Sequence, residues 1–135
     1  MPPKRPRAKQ VLIADDDPVT VTTLSAALRE KSLVVTVARD AMQALMSAHK
    51  TKPDLVLLDV QMPGGTGINA LQKLKSNTLT AMIPVLVISG SDDPAMPDKV
   101  RAMGAEDFVK KPVNAADIQR RVLEILEPGE GGEAA

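Results

Sequence analysis

The sequence predicts an α/β domain, a parallel sheet with helices on both faces. Three observations lead there. Short runs rich in Val, Ile and Leu alternate with stretches whose apolar residues recur at helical spacing, through five such pairs. Most of the runs are apolar throughout rather than every second residue, as in strands covered on both faces. The 135 residues suit one domain, long enough to bury a core without metal or disulfide staples.

The elements follow in order. "VLIA" (Val11–Ala14) reads as the first buried strand. Pro18 to Glu30 carries Val21, Leu24 and Leu28 at helical spacing, with Pro18 at the first helical position and Asp17 before it as N-cap. "LVVTVA" (Leu33–Ala38) is β-branched and reads as the second strand. Asp40 caps the second helix, with Gln43 three residues on as a variant capping box, and Ala41, Ala44, Leu45 and Ala48 form its inner face. "DLVLL" (Asp54–Leu58) is the third strand. The turn-rich "MPGGTG" leads to a helix carrying Ile68, Leu71 and Leu74. "PVLVIS" (Pro84–Ser89) is the fourth strand, followed by a weak helix from about Pro97 to Met103 that ends at Gly104. Pro94 and Pro97 delay that helix, since proline is tolerated only in a first turn, and put a long, mobile loop before it. "DFVKK" (Asp107–Lys111) is the last strand, and Asn114 caps a final helix with Ile118, Val122 and Ile125 inward.

Composition narrows the function. Lys+Arg and Asp+Glu number 17 each, so no global field favours nucleic acid or an anionic membrane. With no Trp, no Tyr and only Phe108, there is no aromatic platform for single-stranded nucleic acid. There is no cysteine, which removes disulfides and thiol chemistry. No apolar run approaches the roughly 20 residues of a membrane span, and no apolar segment follows the basic N-terminus as in a signal peptide. A cytoplasmic protein is expected. Residues 1–8 read as a mobile basic tail, 9–127 as the folded domain and 128–135 as a mobile Gly- and Glu-rich tail.

In open parallel sheets, ligands bind beyond the carboxyl ends of the strands. There stand Asp15, Asp16 and Asp17 after the first strand, Asp59 after the third, Ser89 and Gly90 after the fourth, and Lys111 with Pro112 after the fifth. With Asp17 taken as a cap, Asp15 and Asp16 remain for a cation. An oxygen-only set with few carboxylates suits Mg²⁺, which keeps several waters and favours a phosphate partner. Lys110 is expected at the surface, because strand neighbours face opposite ways.

The motifs "VLIADDDP", "PDLVLLDVQMPGGTG", "IPVLVISGS" and "FVKKP", in this order, resemble the receiver domain of bacterial two-component response regulators, over about Lys9 to Leu126. The resemblance implies a flavodoxin-like (βα)5 fold of the CheY type, with sheet order 2-1-3-4-5. It implies a Mg²⁺-dependent phosphorylation switch rather than an enzyme. Asp59 would be the phosphoacceptor, taking its phosphoryl group from a histidine kinase or phosphotransfer protein. Asp16 would bind Mg²⁺ directly, Asp15 through water, and Gln61 through its backbone carbonyl. Lys111 and Ser89 would hold the phosphoryl group, Gly90 would leave room for loop movement, and Phe108 would change rotamer on activation. The Lys111–Pro112 bond would be cis. Backbone amides after Asp59 would add positive charge. If this is the whole protein, output would pass by protein–protein contact through the fourth helix, fifth strand and fifth helix, without nucleic acid or membrane.

Two alternatives have other chemistry. One is a degenerate receiver that only binds. The other is a haloacid-dehalogenase-type phosphatase, since "DDDPV" fits D-x-D-x-V with Asp15 as nucleophile and Asp17 as acid, and "SDD" (Ser91–Asp93) imitates its late acids. Against the phosphatase, the lysine follows the late acids instead of preceding them, Asp59 is left without a role, and the chain is short. His49 reads as a solvated helix residue, and Met42 and Met46 as helix packing.

Overall fold

The computed structural model describes residues 8–62 and 67–127. The tails apart from Ala8, and residues 63–66 of the turn-rich loop, lie outside the described residues.

The strands are β1 (Gln10–Ala14), β2 (Val34–Ala38), β3 (Leu55–Asp59), β4 (Val85–Ser89) and β5 (Asp107–Lys110). The helices are α1 (Pro18–Glu30), α2 (Ala41–Thr51), α3 (Gly67–Ser76), α4 (Met96–Ala102) and α5 (Ala115–Leu126). The strands pair in parallel in the order β2-β1-β3-β4-β5, the flavodoxin-like arrangement. β1, β3 and β4 occupy the interior positions, and every residue of β3 and β4 is buried. β2 lies at an edge and is the one strand with a clean in-out alternation. Among the described residues no helix is long and apolar enough to cross a membrane.

Side-chain alternation sorts the core into two layers. Val11, Ile13, Leu55, Leu57, Leu86 and Ile88 face α1 and α5 and meet Leu24, Leu28, Ile118 and Val122. Leu12, Val56, Leu58, Val85 and Val87 face the other way and meet Ala44, Ala48, Leu71, Leu74 and Val100 of α2, α3 and α4. Together they hold most of the hydrophobic driving force, at about 25 cal/mol per Å² of apolar surface removed from water.

The caps form as their residue types dictate. Asp17 Oδ1 accepts from Val19 N at 3.1 Å and Oδ2 from the Thr20 hydroxyl at 2.7 Å. Asp40 accepts from Gln43 N, while the Gln43 side chain reaches back to Arg39 N, one residue before the cap. Asn114 accepts from Asp117 N at 2.9 Å. α4 begins one residue before Pro97, with Ala95 as an N-cap that offers no side-chain acceptor. The segment before it carries a relay of short turns: Ser91 N donates to Ser89 Oγ, Asp93 N to Ser91 Oγ, and Ala95 N to Asp93 Oδ1. After α4 the chain reverses at Gly104 with φ +105°, a conformation open to a residue without Cβ.

One expectation fails. Met42 and Met46 do not pack; they stand 63% and 64% exposed. The small residues Ala41, Ala44 and Ala48 already seat α2 against the sheet, so the methionines one step round the helix are left outside.

Candidate phosphoacceptor and cation site

β1 and β3 are neighbours in register, with Ala14 opposite Leu58. Each continues one residue further into an aspartate, so Asp15 and Asp59 emerge side by side. Both stay buried, at 1% and 3% exposure, whereas Asp16 is exposed. One carboxylate oxygen from each of Asp15, Asp16 and Asp59 lies within 4.8 Å of the others. β5 brings in the counter-charge. Lys111 Nζ lies 3.0 Å from Asp15 Oδ2 and 3.1 Å from Asp59 Oδ2. Its neighbour Lys110 points outward and pairs with Asp92. The Lys111–Pro112 peptide bond is cis.

Backbone amides fix both carboxylates. Asp17 N donates to Asp15 Oδ1 at 2.9 Å, and Gln61 N donates to Asp59 Oδ1 at 2.8 Å. Asp15 Oδ2 is buried without a hydrogen bond, since the nearby ammonium bonds to Oδ1 and faces Oδ2 only as a charge. A buried carboxylate oxygen is costly unless something positive completes it, and the charge facing this one is a lysine shared with Asp59.

The electrostatics reflect one cation serving two anions. Burial pushes the Asp15 carboxyl above its ordinary value; the Asp17 amide and the Lys111 ammonium oppose this, and repulsion from Asp59 adds to it. Burial pulls the Lys111 ammonium down, but hydrogen bonds to both aspartates outweigh it, and it titrates above an ordinary lysine. The two directions agree physically. Lys111 gains from both carboxylates, while Asp15 has only a share of Lys111.

Ser89 is buried and its Oγ accepts from Ser91 N at 3.0 Å. It ends β4, one position past Ile88, which stands opposite Asp59. A Cβ on Gly90 would lie 3.5 Å from Gln61 Oε1, so the strand-four loop runs beside the one that follows Asp59. Phe108 is half-buried against the α2–α4 layer, opposite Val87 in register. Asp17, Asp92 and Asp93 take no part in the cluster. Asp17 is committed to capping α1, Asp92 to Lys110, and Asp93 to Ala95 N. The second acid that a D-x-D phosphatase needs is therefore already engaged elsewhere.

The family described as response regulator receiver domain matches residues 11–123. This chain belongs to that family. The receiver fold is equally plain in three dimensions. A putative response regulator from Chloroflexus aurantiacus superimposes with a TM-score of 0.83 at 28% identity, covering 89% of this chain and 98% of that one. Among relatives, protein PilH of Pseudomonas aeruginosa is 32% identical over 119 residues, which span 87% of this chain and 97% of PilH. The probable transcriptional regulatory protein TcrX of Mycobacterium tuberculosis is 34% identical over 118 residues, 86% of this chain but 49% of TcrX. The receiver thus spans nearly all of some relatives and about half of others. It is a signalling module of two-component systems, not a member of an enzyme family, and the phosphatase alternative has no support.

Proposed function

We propose that this receiver is switched by phosphorylation of Asp59. The observation that supports it is the juxtaposition of Asp59 with two further carboxylates and a single ammonium that it shares with Asp15. An aspartate merely ending a strand would need none of these. The donor can be a phosphohistidine of a kinase or phosphotransfer protein, or a small acyl phosphate. An Asp59 carboxylate oxygen attacks phosphorus, the bond from phosphorus to the leaving group breaks, and an acyl phosphate forms. Such transfer depends on in-line positioning and charge neutralisation more than on acid–base work by the protein.

The chain's own residues serve those two needs. Gln61 N–H and Lys111 hold one carboxylate oxygen each and fix the plane of Asp59. Lys111 then follows the charge onto the phosphoryl oxygens as a compact cation. The Ser89 hydroxyl accepts from Ser91 N and keeps its own proton to donate to the phosphoryl group. Asp16, Asp59 and the Gln61 carbonyl would hold Mg²⁺ directly and Asp15 through water. The all-oxygen set, with Asp15 Oδ2 facing only a lysine that it shares with Asp59, fits such an ion. When bound, it supplies positive charge for the phosphoryl oxygens. Output runs through the α4–β5–α5 face to a protein partner. The strand-four loop moves toward the phosphoryl group, Gly90 gives it room, and Phe108 turns inward.

The test is acetyl phosphate with Mg²⁺, read by intact mass. One added phosphate is expected on the wild type and none on Asp59→Asn. Labelling that persists in Asp59→Asn, or no labelling of the wild type, rejects the reading; the second result would favour a receiver that only binds.

A further inference from the structure

We propose that the groove between α2 and α3 is a docking site for an acidic amphipathic helix of a protein partner. The site is distinct from the phosphoacceptor. His49 and Lys50 lie in the last turn of α2, and Ser76 ends α3, so the groove lies toward the amino ends of the strands, away from Asp59. It is a cavity of 1010 Å³ whose lining includes Leu45, Met46, Leu74, His49, Lys50 and Lys73.

Charge selects the occupant. The chain as a whole is neutral, yet it has no acid between Asp40 and Asp54 and none between Asp59 and Asp92. Those two intervals contain all of α2 and all of α3. Lys75 turns inward and donates to the carbonyls of Ala81 and Ile83, at 3.1 and 2.8 Å. Lys50 and Lys73 line the groove, and neither enters an ion pair among the described residues. A basic rim without acids attracts anionic partners and rejects cationic ones.

Shape and apolar content select the class. Met46 lines the groove, and Met42 stands one turn before it on the same face of α2, both mostly exposed. Flexible, polarisable methionines suit a surface that receives apolar anchors from another chain. A groove along an 11-residue helix matches about three turns of a partner helix, whose anchors at i, i+3/i+4 and i+7 fill it while flanking Glu or Asp meet the lysines. A lipid surface would call for a protruding apolar face, and this one is concave. A single-stranded nucleic acid would call for a stacking platform of Phe, Tyr or Trp, and the groove has none.

The experiment uses the full chain labelled at methionine methyl carbons, with three probes. They are a synthetic amphipathic helical peptide with leucines on one face and glutamates on the other, its lysine counterpart, and vesicles of anionic phosphatidylglycerol. The acidic peptide should shift the Met42 and Met46 methyl signals saturably, and the lysine peptide should not. Lys50→Glu with Lys73→Glu, both at exposed positions, should weaken the acidic peptide at least tenfold and let the lysine peptide bind. Phosphorylation at Asp59 should be unchanged in that variant, which separates this proposal from the switch reading. The proposal is overturned if the acidic peptide leaves both methyl signals in place, or binds the double variant equally well. Vesicles that shift the same signals while the peptide does not would make the groove a membrane contact instead.

Discussion

Within the same two strands, β1 and β3 hold two regions built on opposite principles. Val11 to Ala14 and Leu55 to Leu58 are apolar, at 0–1% exposure, and each fills space between sheet and helices. One residue further along, Asp15 and Asp59 are nearly as buried but carry like charges with a single shared lysine. The first region is what a stable core requires. The second works against stability, because burying like charges is unfavourable. Residues from three strands converge there, and the proposed Mg²⁺ and phosphoryl group would supply the charge and contacts that the cluster lacks. The lesson is local: burial of the apolar runs makes the fold, and burial at their carboxyl ends makes the site.

The largest effect should come from the core. Leu57→Ala deletes a side chain that is 1% exposed and should destabilise by about 2–5 kcal/mol in urea or thermal melts, at any pH where the protein folds. A cost below about 1 kcal/mol would mean that the strands carry less of the stability than the contrast requires.

Lys111→Met comes next. It leaves two buried carboxylates facing each other, and should cost about 2–3 kcal/mol at neutral pH, somewhat less than a fully buried pair because the lysine side chain is 18% exposed. The pH dependence has a definite sign. The Lys111 pKa is raised on folding, so its stabilising contribution is complete below the ordinary lysine value of 10.5 and is lost as pH rises through the higher folded value. The gap between wild type and Lys111→Met should therefore close in strong alkali. A gap that is constant from pH 7 upward would assign the loss to packing rather than charge.

Asp15→Asn should have the opposite sign. Removing one of the repelling charges should stabilise the cation-free protein by ~1 kcal/mol at neutral pH. Burial raises the Asp15 pKa, so the wild type regains that stability as pH falls through the raised value toward the ordinary 3.8. The two proteins should converge there, and a destabilised Asp15→Asn at pH 7 would show that the carboxylate is structurally satisfied after all.

The smallest effect sharpens the comparison most. Asp16 is exposed, so Asp16→Ala should barely change stability without divalent cation. Mg²⁺ should raise the wild-type melting temperature by mass action, and that rise should vanish in Asp16→Ala. An undiminished rise in the variant would move the cation away from this cluster.

Much of this was legible in the sequence, for identifiable reasons. The strands of a doubly wound sheet are apolar runs that end abruptly, so the residues at or just past their carboxyl ends, Asp15, Asp59, Ser89 and Lys111, could be read off without coordinates. Asp17 and Asn114 announced their helices because capping depends on residue type and near neighbours. What escaped depends on contacts distant in sequence or on neighbours too small to notice. Met42 and Met46 have helical spacing, and only the packing of Ala41, Ala44 and Ala48 against the sheet decides that the methionines face out. The long loop was predicted from Pro94 and Pro97, but not the relay of turns from Ser89 to Ala95 that ties the buried Ser89 hydroxyl into it. That Asp15 and Asp59 share one ammonium could be seen only once Lys111 was placed.

The central claim is that the charge at the end of β3 is the reactive one. Acyl phosphates are reduced by borohydride, which converts a phosphorylated aspartate to homoserine and leaves free aspartates untouched. The direct measurement is peptide mapping of the chain after acetyl phosphate, Mg²⁺ and borohydride treatment. Homoserine at position 59 alone is the expected result. Homoserine at Asp15 or Asp16, or phosphate found instead on His49, would contradict the account.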